Sequence, residues 1–210
     1  MGLAVAVFCA AVAPADQPTA EDLKALDRDD AAAQAAIDAG DLQKALRYVD
    51  FFGHEQEDFA TATLQYGRSQ RALRKAVVDA FGEKAWTETA SALGVPRHDP
   101  DKARRSVRRE GDVVFVKNAG AEHEVPYVKV GGLWKLSVRD VLLVALTARF
   151  GRDVKVEEAD LHVLAGKMAK VVRKRADDLS SLADSVRDGR IRSPGALRKA
   201  AEALRRTAGA

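Results

Sequence analysis

The stretch VPYVKVGGLWKLSV, residues 125–138, decides the fold because two short apolar runs flank a central Gly131-Gly132 pair. Glycine pairs favour the tight turns that join antiparallel strands, so this stretch predicts a β-hairpin. A two-residue turn also determines which residues face each other across the two strands. The expected cross-strand pairs are Val130 with Leu133, Lys129 with Trp134, Tyr127 with Leu136 and Val125 with Val138.

The hairpin carries one aromatic residue on each strand, and the alternation of side chains places Tyr127 and Trp134 on the same face. Cross-strand pairs of this kind stabilise a sheet by packing alone, by roughly 0.2–1 kcal/mol each. Packing is enough to explain the two rings, but they are also suited to line a binding site, and the sequence leaves both interpretations open. The residues predicted to line such a ligand cavity are Trp86, Phe115, Tyr127, Trp134 and Leu136.

Strand-like segments with short, glycine-containing connections begin well before this hairpin. Connections of this type join neighbouring antiparallel strands, so the whole region predicts an antiparallel meander. In its first hairpin, a turn at Glu110-Gly111 is expected to set Arg109 opposite Asp112. The four predicted strands are residues 105–109, 113–117, 124–130 and 133–138.

Helical patterns lie on both sides of the meander. They begin at capping residues such as Thr19 and Asp41 and end at glycines such as Gly40 and Gly94. We therefore predict an α+β fold in which N-terminal helices pack on a bent four-stranded antiparallel meander, followed by a C-terminal helical hairpin. The predicted helices are residues 20–39, 42–52, 55–80, 85–93, 141–150 and 156–187, and a last helix from 194.

Length and composition indicate an ordinary folded domain. The chain has 210 residues, of which 47% are hydrophobic and 31% are charged, as is typical of globular proteins. Residues 16–66 carry 12 acidic and 4 basic side chains, whereas residues 67–110 carry 6 acidic and 11 basic ones. Because the basic residues alternate with acidic ones, we expect these segments to attract each other and expect no nucleic-acid binding.

The first residues, MGLAVAVFCAAVAPA, differ from the rest of the chain because they carry no charge. They end in a small-x-small pattern, so residues 1–15 are predicted to be a signal peptide, atypical in lacking a basic start. A buried N-terminal element and, through the single Cys9, a lipid anchor are alternatives. The apolar run is too short to span a bilayer. The expectation is a bacterial protein exported to the periplasm or the extracellular space, with no stable membrane span.

The sequence shows none of the linear motifs that mark common catalytic centres. The four histidines are far apart, and neither a phosphate-binding glycine loop nor a serine nucleophile elbow occurs. We therefore predict no metal and no cofactor, and an enzyme is the less favoured interpretation. Acid–base enzymes need no linear motif, and the weak catalytic candidates are Tyr48, Asp50, His54 and Tyr127.

Two local motifs resemble a known superfamily. AIDAGD at 36–41 is similar to the A-x-x-x-G-D break between the first two helices of the nuclear transport factor two-like (cystatin-like α+β cone) superfamily. GDVV at 111–114 and VKVGGLWKL at 128–136 are similar to paired strands of its small exported members. The resemblance covers about residues 20–138 and implies a cone-shaped cavity between sheet and N-terminal helices. Some members are isomerases, dehydratases or cyclases, and others only bind or dimerise.

The predicted organisation is a signal peptide at 1–15, the α+β domain at 16–138 and a helical extension at 139–210 that caps or fills the cavity. The leading hypothesis is an exported binding or structural module for a small apolar ligand or a protein partner. One alternative is a small cavity enzyme with isomerase-like or dehydratase-like acid–base chemistry. The other is a homodimeric interaction protein that uses the outer sheet face or the C-terminal helices.

Overall fold

The computed structural model describes residues 17–94, 106–117, 124–150 and 156–208, so the predicted signal peptide, His98 and His123 lie outside the described residues. Within these ranges the chain is an α+β fold with seven helices and one five-stranded mixed sheet. The helices are α1 (Ala20–Asp38), α2 (Leu42–Leu46), α3 (His54–Phe81), α4 (Glu83–Leu93), α5 (Val138–Phe150), α6 (Glu158–Arg187) and α7 (Pro194–Ala208). The strands are β1 (Val49–Asp50), β2 (Ser106–Glu110), β3 (Val113–Lys117), β4 (Val125–Val130) and β5 (Leu133–Ser137).

The strand order in the sheet is β1-β5-β4-β3-β2, and β2 to β5 form the predicted antiparallel meander. The register of the β4–β5 hairpin is confirmed, because Lys129 pairs with Trp134 and Tyr127 pairs with Leu136. The aromatic side chains therefore share one face of the sheet, as expected from their alternation. The expected pair of Val125 with Val138 does not form, because β5 ends at Ser137 and Val138 begins α5.

The register predicted for the β2–β3 hairpin is wrong. Its turn residues are Gly111 and Asp112, so Glu110 pairs with Val113, and Arg109 pairs with Val114 rather than with Asp112. Gly111 has φ +58°, the left-handed conformation that the first position of a two-residue hairpin turn requires. Gly111 is therefore the first residue of the turn, whereas the prediction placed it second.

The sheet has a fifth strand in a segment for which the sequence predicted helix. β1 pairs in parallel with β5, with Val49 opposite Leu136, and the N–H of Leu136 donates to the carbonyl oxygen of Tyr48 at 2.9 Å. The purely antiparallel, four-stranded sheet is thus a wrong detail of the prediction. Helix α2 ends at Leu46 because the following residues gain hydrogen bonds and burial from a strand that is distant in sequence.

A first hydrophobic core lies where α2, β1 and α5 meet the first halves of α3 and α6. Leu142 of α5 and Leu161 of α6 are fully buried in it. A smaller cluster joins α1 to the sheet through Leu26, which packs against Val114 and Trp134. These two clusters form the head of the molecule, which is defined here as the sheet with α1, α2, α5 and the adjoining halves of α3 and α6.

The long helices α3 and α6 pack along each other and extend away from the head. Their 28 and 30 residues correspond to about 42 Å and 45 Å of helix. Small residues such as Ala62, Ala165 and Ala183 are buried along them. A second hydrophobic core at the far end is built by the second halves of α3 and α6 with α4 and α7, and this is the distal end.

The C-terminal helices do not form the predicted hairpin with each other. Helix α6 packs mainly on α3, and α7 packs mainly on α4. Leu197 of α7 is fully buried in the distal core, as is Leu73 of α3. Each C-terminal helix buries its apolar stripe against an N-terminal helix because that packing covers both stripes at once.

Ion pairs link the acidic N-terminal segment to the basic parts of the chain, as the charge distribution suggested. Asp22 pairs with Lys129 at 3.2 Å, and Asp38 pairs with Arg71 at 2.7 Å. The Thr19 hydroxyl and then Lys129 lower the pKa of Asp22 by stabilising its carboxylate. These exposed pairs contribute little stability individually, but they fix which segments meet.

Candidate functional site

The face that carries Tyr127 and Trp134 is covered by α1 rather than open to a ligand. Trp134 is 3% exposed and packs with Leu26 and Val114. Its backbone N–H donates to the buried carboxylate of Asp29 at 2.9 Å. Helix α1 therefore occupies the position in which the sequence allowed a cavity.

The other residues predicted to line that cavity lie in separate places. Trp86 belongs to the distal core, far along the helices from the sheet. Leu136 packs against the head core on the Trp134 face. Phe115 lies on the opposite face of the sheet, since its neighbour Val114 is the residue that pairs with Tyr127.

The four catalytic candidates are not brought together either. Tyr48 and Asp50 lie at β1, and His54 is an exposed residue at the start of α3. The hydroxyl of Tyr127 donates to Asp30 of α1 at 3.1 Å. Strand β5 lies between β1 and β4. Neighbouring strands are about 5 Å apart, so the strands that carry Asp50 and Tyr127 are about 10 Å apart.

An open groove lies on the opposite face of the sheet, between β2–β3 and α5. Its volume is about 780 Å³, within the usual range of ligand pockets. Phe115 lines it from β3, and Leu143, Val144 and Ala148 line it from α5. These apolar side chains give the groove, here called the sheet groove, an apolar surface that is wide enough for a small organic molecule.

Charged groups surround this apolar surface. The guanidinium carbon of Arg108 lies 4.0 Å from the centroid of the Phe115 ring, a cation–π contact. The Nε of Arg108 donates to both carboxylate oxygens of Glu124, at 3.0 and 2.9 Å, and Arg108 also pairs with Glu110. The Glu124 hydrogen bonds raise the pKa of Arg108 above its ordinary value, so this cation is permanent.

The side of the groove formed by α5 is fixed by short-range hydrogen bonds. The Ser137 hydroxyl donates to the Asp140 carboxylate at 2.6 Å and accepts from the Asp140 N–H at 3.3 Å, which caps the start of α5. The Thr147 hydroxyl donates to the carbonyl oxygen of Leu143 at 2.9 Å. The groove therefore presents carboxylate oxygens at the helix start and an apolar surface further along.

Sequence reasoning identified Phe115 but placed it with the aromatic face, and it missed Arg108, Glu124 and Asp140. The face of Phe115 follows from the β3–β4 register, which is ambiguous from the sequence and in which Phe115 lies opposite Pro126. The signal that was available is the alternation within β3 itself. Once Val114 is placed under α1, Phe115 must point the other way.

Comparison of the sequence with protein-family models, with curated proteins and with solved structures finds no match. Within the described ranges, His, Cys, Asp and Glu side chains do not gather in groups of three that could hold a metal ion. The helices in those ranges also lack a stretch long and apolar enough to cross a membrane.

Proposed function

We propose that the protein is a binding module that holds a small organic molecule in the sheet groove. One observation carries the proposal. The Trp134 face of the sheet is closed by α1, whereas the Phe115 face carries an open groove of about 780 Å³. Ligand sites are typically concave and combine apolar contact surface with fixed polar groups. The sheet groove is concave and has an apolar strip formed by Phe115 and α5, which is bordered by charged side chains.

The lining indicates a ligand with an apolar body and a polar end. Phe115, Leu143 and Val144 offer contact to the apolar body. Arg108 already donates to two carboxylates, so it is held in place rather than free to reorganise. Preorganised polar groups bind with less loss of side-chain entropy, so the polar end of the ligand is expected to lie against the Arg108–Glu124 pair.

The test uses the neutral fluorophore phenylnaphthylamine and two variants of one helix. Ala148 lines the groove, whereas Ala145 is exposed on the same helix and does not line it. We expect saturable one-to-one binding by the unmodified chain, strong weakening by Ala148→Trp and no change with Ala145→Trp. Equal affinities for all three proteins, or no saturable binding by the unmodified chain, would refute the sheet groove as the binding site.

We further propose that the protein is exported after removal of residues 1–15 and that it is a nuclear transport factor two-like domain. The order of helices before the sheet supports the second point, as does the Gly40-Asp41 break, where Gly40 has φ +76° and Asp41 caps α2. Mass spectrometry of the mature chain tests the first point. A chain that still begins at Met1 would contradict export by this route.

The enzyme and homodimer hypotheses stay predictions, because the described residues offer no specific observation in favour of either. Light scattering distinguishes a monomer from a dimer directly. The enzyme hypothesis needs one of its four candidates in an open cavity, and none of the four lines the sheet groove. Tyr127, its most central candidate, instead donates to Asp30 beneath α1.

A further inference from the structure

A small pocket lies at the distal end, where four helices meet, and it is separate from the sheet groove. Its volume is about 50 Å³. Leu93 of α4, Leu179 of α6 and Leu204 of α7 give it an apolar lining that continues into the distal core. A water molecule takes about 30 Å³ of the liquid, so this pocket, here called the distal pocket, accepts a group of two or three heavy atoms.

Three side chains that carry hydrogen-bond donors border the same pocket, and they are Tyr66, Arg175 and Arg205. Tyr66 is half-buried, and burial raises the pKa of its hydroxyl, while Arg175 is close enough to oppose that rise. Arg205 packs on the end of α4, where its Nε lies 3.5 Å from the position that a Cβ on Gly94 would take. Because all three side chains border one pocket of about 50 Å³, they approach a common point.

The distal pocket is rich in donors and poor in acceptors. Tyr66, Arg175 and Arg205 make no hydrogen bond or ion pair with any described residue. Asp178 is the one carboxylate that lines the pocket among the described residues, and it accepts a hydrogen bond from Nζ of Lys174 at 2.8 Å. The charge of Asp178 is thus balanced by a residue outside the pocket. A ligand that brings its own acceptor oxygens would meet donors that the protein leaves unused.

We propose that the distal pocket binds the anion of a short-chain carboxylic acid. Its alkyl group, of two or three carbons, packs among the three leucines, and its carboxylate lies against Tyr66 and the two guanidinium groups. Guanidinium groups bind carboxylates through charge-assisted hydrogen bonds, which are stronger than neutral ones. An inorganic anion would leave the leucines uncovered, and the chain of a larger acid exceeds the volume of the pocket. The apolar lining and the small volume therefore select the ligand together with the charge.

The test titrates the full chain with sodium propionate and, in parallel, with the neutral propionamide, at constant ionic strength. NMR follows the methyl signals of Leu93, Leu179 and Leu204, which line the pocket. We expect saturable shifts of these signals with propionate, at the roughly millimolar concentrations that so small a ligand requires, and weaker binding of propionamide. Equal binding of the two probes, or no saturable shift with propionate, would overturn the proposal.

Two variants test the donors, since Tyr66→Phe removes the hydroxyl but keeps the ring and Arg175→Gln removes one guanidinium group. Each should weaken propionate binding roughly three- to tenfold, as expected for a lost hydrogen bond. Arg173→Gln is the matched control, because Arg173 lies on the same helix and does not line the pocket. Equal weakening by Arg173→Gln and Arg175→Gln would contradict the proposed site. Ala148→Trp should leave propionate binding intact, so failure of the sheet groove and failure of the distal pocket are separate results.

Discussion

Gly53 shows how one residue determines a local arrangement. Its φ of +80° and ψ of 169° lie in a region of backbone conformation that is essentially restricted to glycine. A Cβ at this position would lie 2.7 Å from Cε1 of His162. The absent side chain thus lets the loop before α3 approach α6, where the His162 ring contacts Phe52 and lies 3.4 Å from Glu55.

We therefore predict that Gly53→Ala destabilises the protein more than Gly82→Ala does. Gly82 has nearly the same backbone conformation, with φ +84° and ψ 169°, but a Cβ there meets nothing within 4 Å. Backbone strain is expected to cost roughly 1–3 kcal/mol at both positions, and the contact with His162 adds about 1 kcal/mol at Gly53. Denaturant unfolding measures both free energies. His162→Ala should remove the difference, and a difference that persists in that background would contradict the steric explanation.

Tyr66 gives the molecule a dependence on alkaline pH. Burial raises the pKa of its hydroxyl above the ordinary value, and the nearby Arg175 partly offsets this effect. The unfolded chain loses the proton near pH 10, while the folded chain retains it to higher pH. The contribution of this group is therefore fully present below the unfolded pKa and is lost as pH rises through the folded pKa.

The corresponding prediction compares the unmodified chain with Tyr66→Phe. Between about pH 8 and about pH 11, a range that spans the ordinary tyrosine pKa, the unfolding free energy of the unmodified chain should fall more than that of the variant. Lysines titrate in the same range, but they do so equally in both proteins. Denaturant unfolding at several pH values gives the two slopes. Parallel slopes would show that Tyr66 does not titrate differently in the folded state.

At the scale of elements, Asp29 attaches α1 to the sheet. Strand β1 pairs with β5 at Leu136 and Ser137, and the N–H of Trp134, further along β5, donates to the Asp29 carboxylate. The second carboxylate oxygen accepts from Nε of Arg28 at 2.9 Å. The Asp29 carboxylate therefore accepts a hydrogen bond from the buried N–H of Trp134, which lies beyond the two residues of β5 that pair with β1.

We expect Asp29→Ala to lower the unfolding free energy by roughly 1–3 kcal/mol, because it leaves the Trp134 N–H buried and unpaired. Asp29→Asn keeps an acceptor oxygen and should have a smaller effect. Near-ultraviolet circular dichroism should also report a changed Trp134 environment in the alanine variant alone. Equal stabilities of the two variants would mean that the charge, and not the acceptor, is the important property.

The elements that could be predicted from sequence are those whose cause is local. Gly131-Gly132 determined the β4–β5 register, and glycines such as Gly82 and Gly94 mark the helix ends. Strand β1 could not be predicted, because its two residues gain their hydrogen bonds from β5, far along the sequence. The placement of Phe115 failed for a related reason, since its face depends on the β3–β4 register, in which Val114 lies opposite Tyr127 and packs with Leu26 of α1.

At the scale of the whole molecule, the two ends have separate hydrophobic cores that are joined by α3 and α6. The apolar stripes of α6 and α7 were visible in the sequence, but the partner of each was not, because a stripe fits any apolar face of matching length. Proteins open locally in cooperative units that often coincide with such packing units. The head and the distal end are therefore expected to open independently.

The last prediction tests this independence with two fully buried leucines, Leu142 of the head core and Leu197 of the distal core. Replacing either by alanine should cost about 2–5 kcal/mol, through lost burial and the cavity left behind. Hydrogen exchange followed by mass spectrometry should show faster exchange in α4 and α7 for Leu197→Ala, with β3 to β5 unchanged. Leu142→Ala should accelerate exchange in the sheet and α5 and leave α4 and α7 unchanged.

The sheet groove makes this separation important for binding. The sheet groove belongs to the head, and its lining includes no residue of the distal core. If the ends open independently, Leu197→Ala should leave phenylnaphthylamine binding unchanged, since the groove that binds it gains nothing from the distal core. Faster exchange at both ends in each variant would show instead that α3 and α6 transmit the loss of packing along their whole length. The chain would then be one cooperative unit, and Leu197→Ala would weaken phenylnaphthylamine binding as well as the distal core.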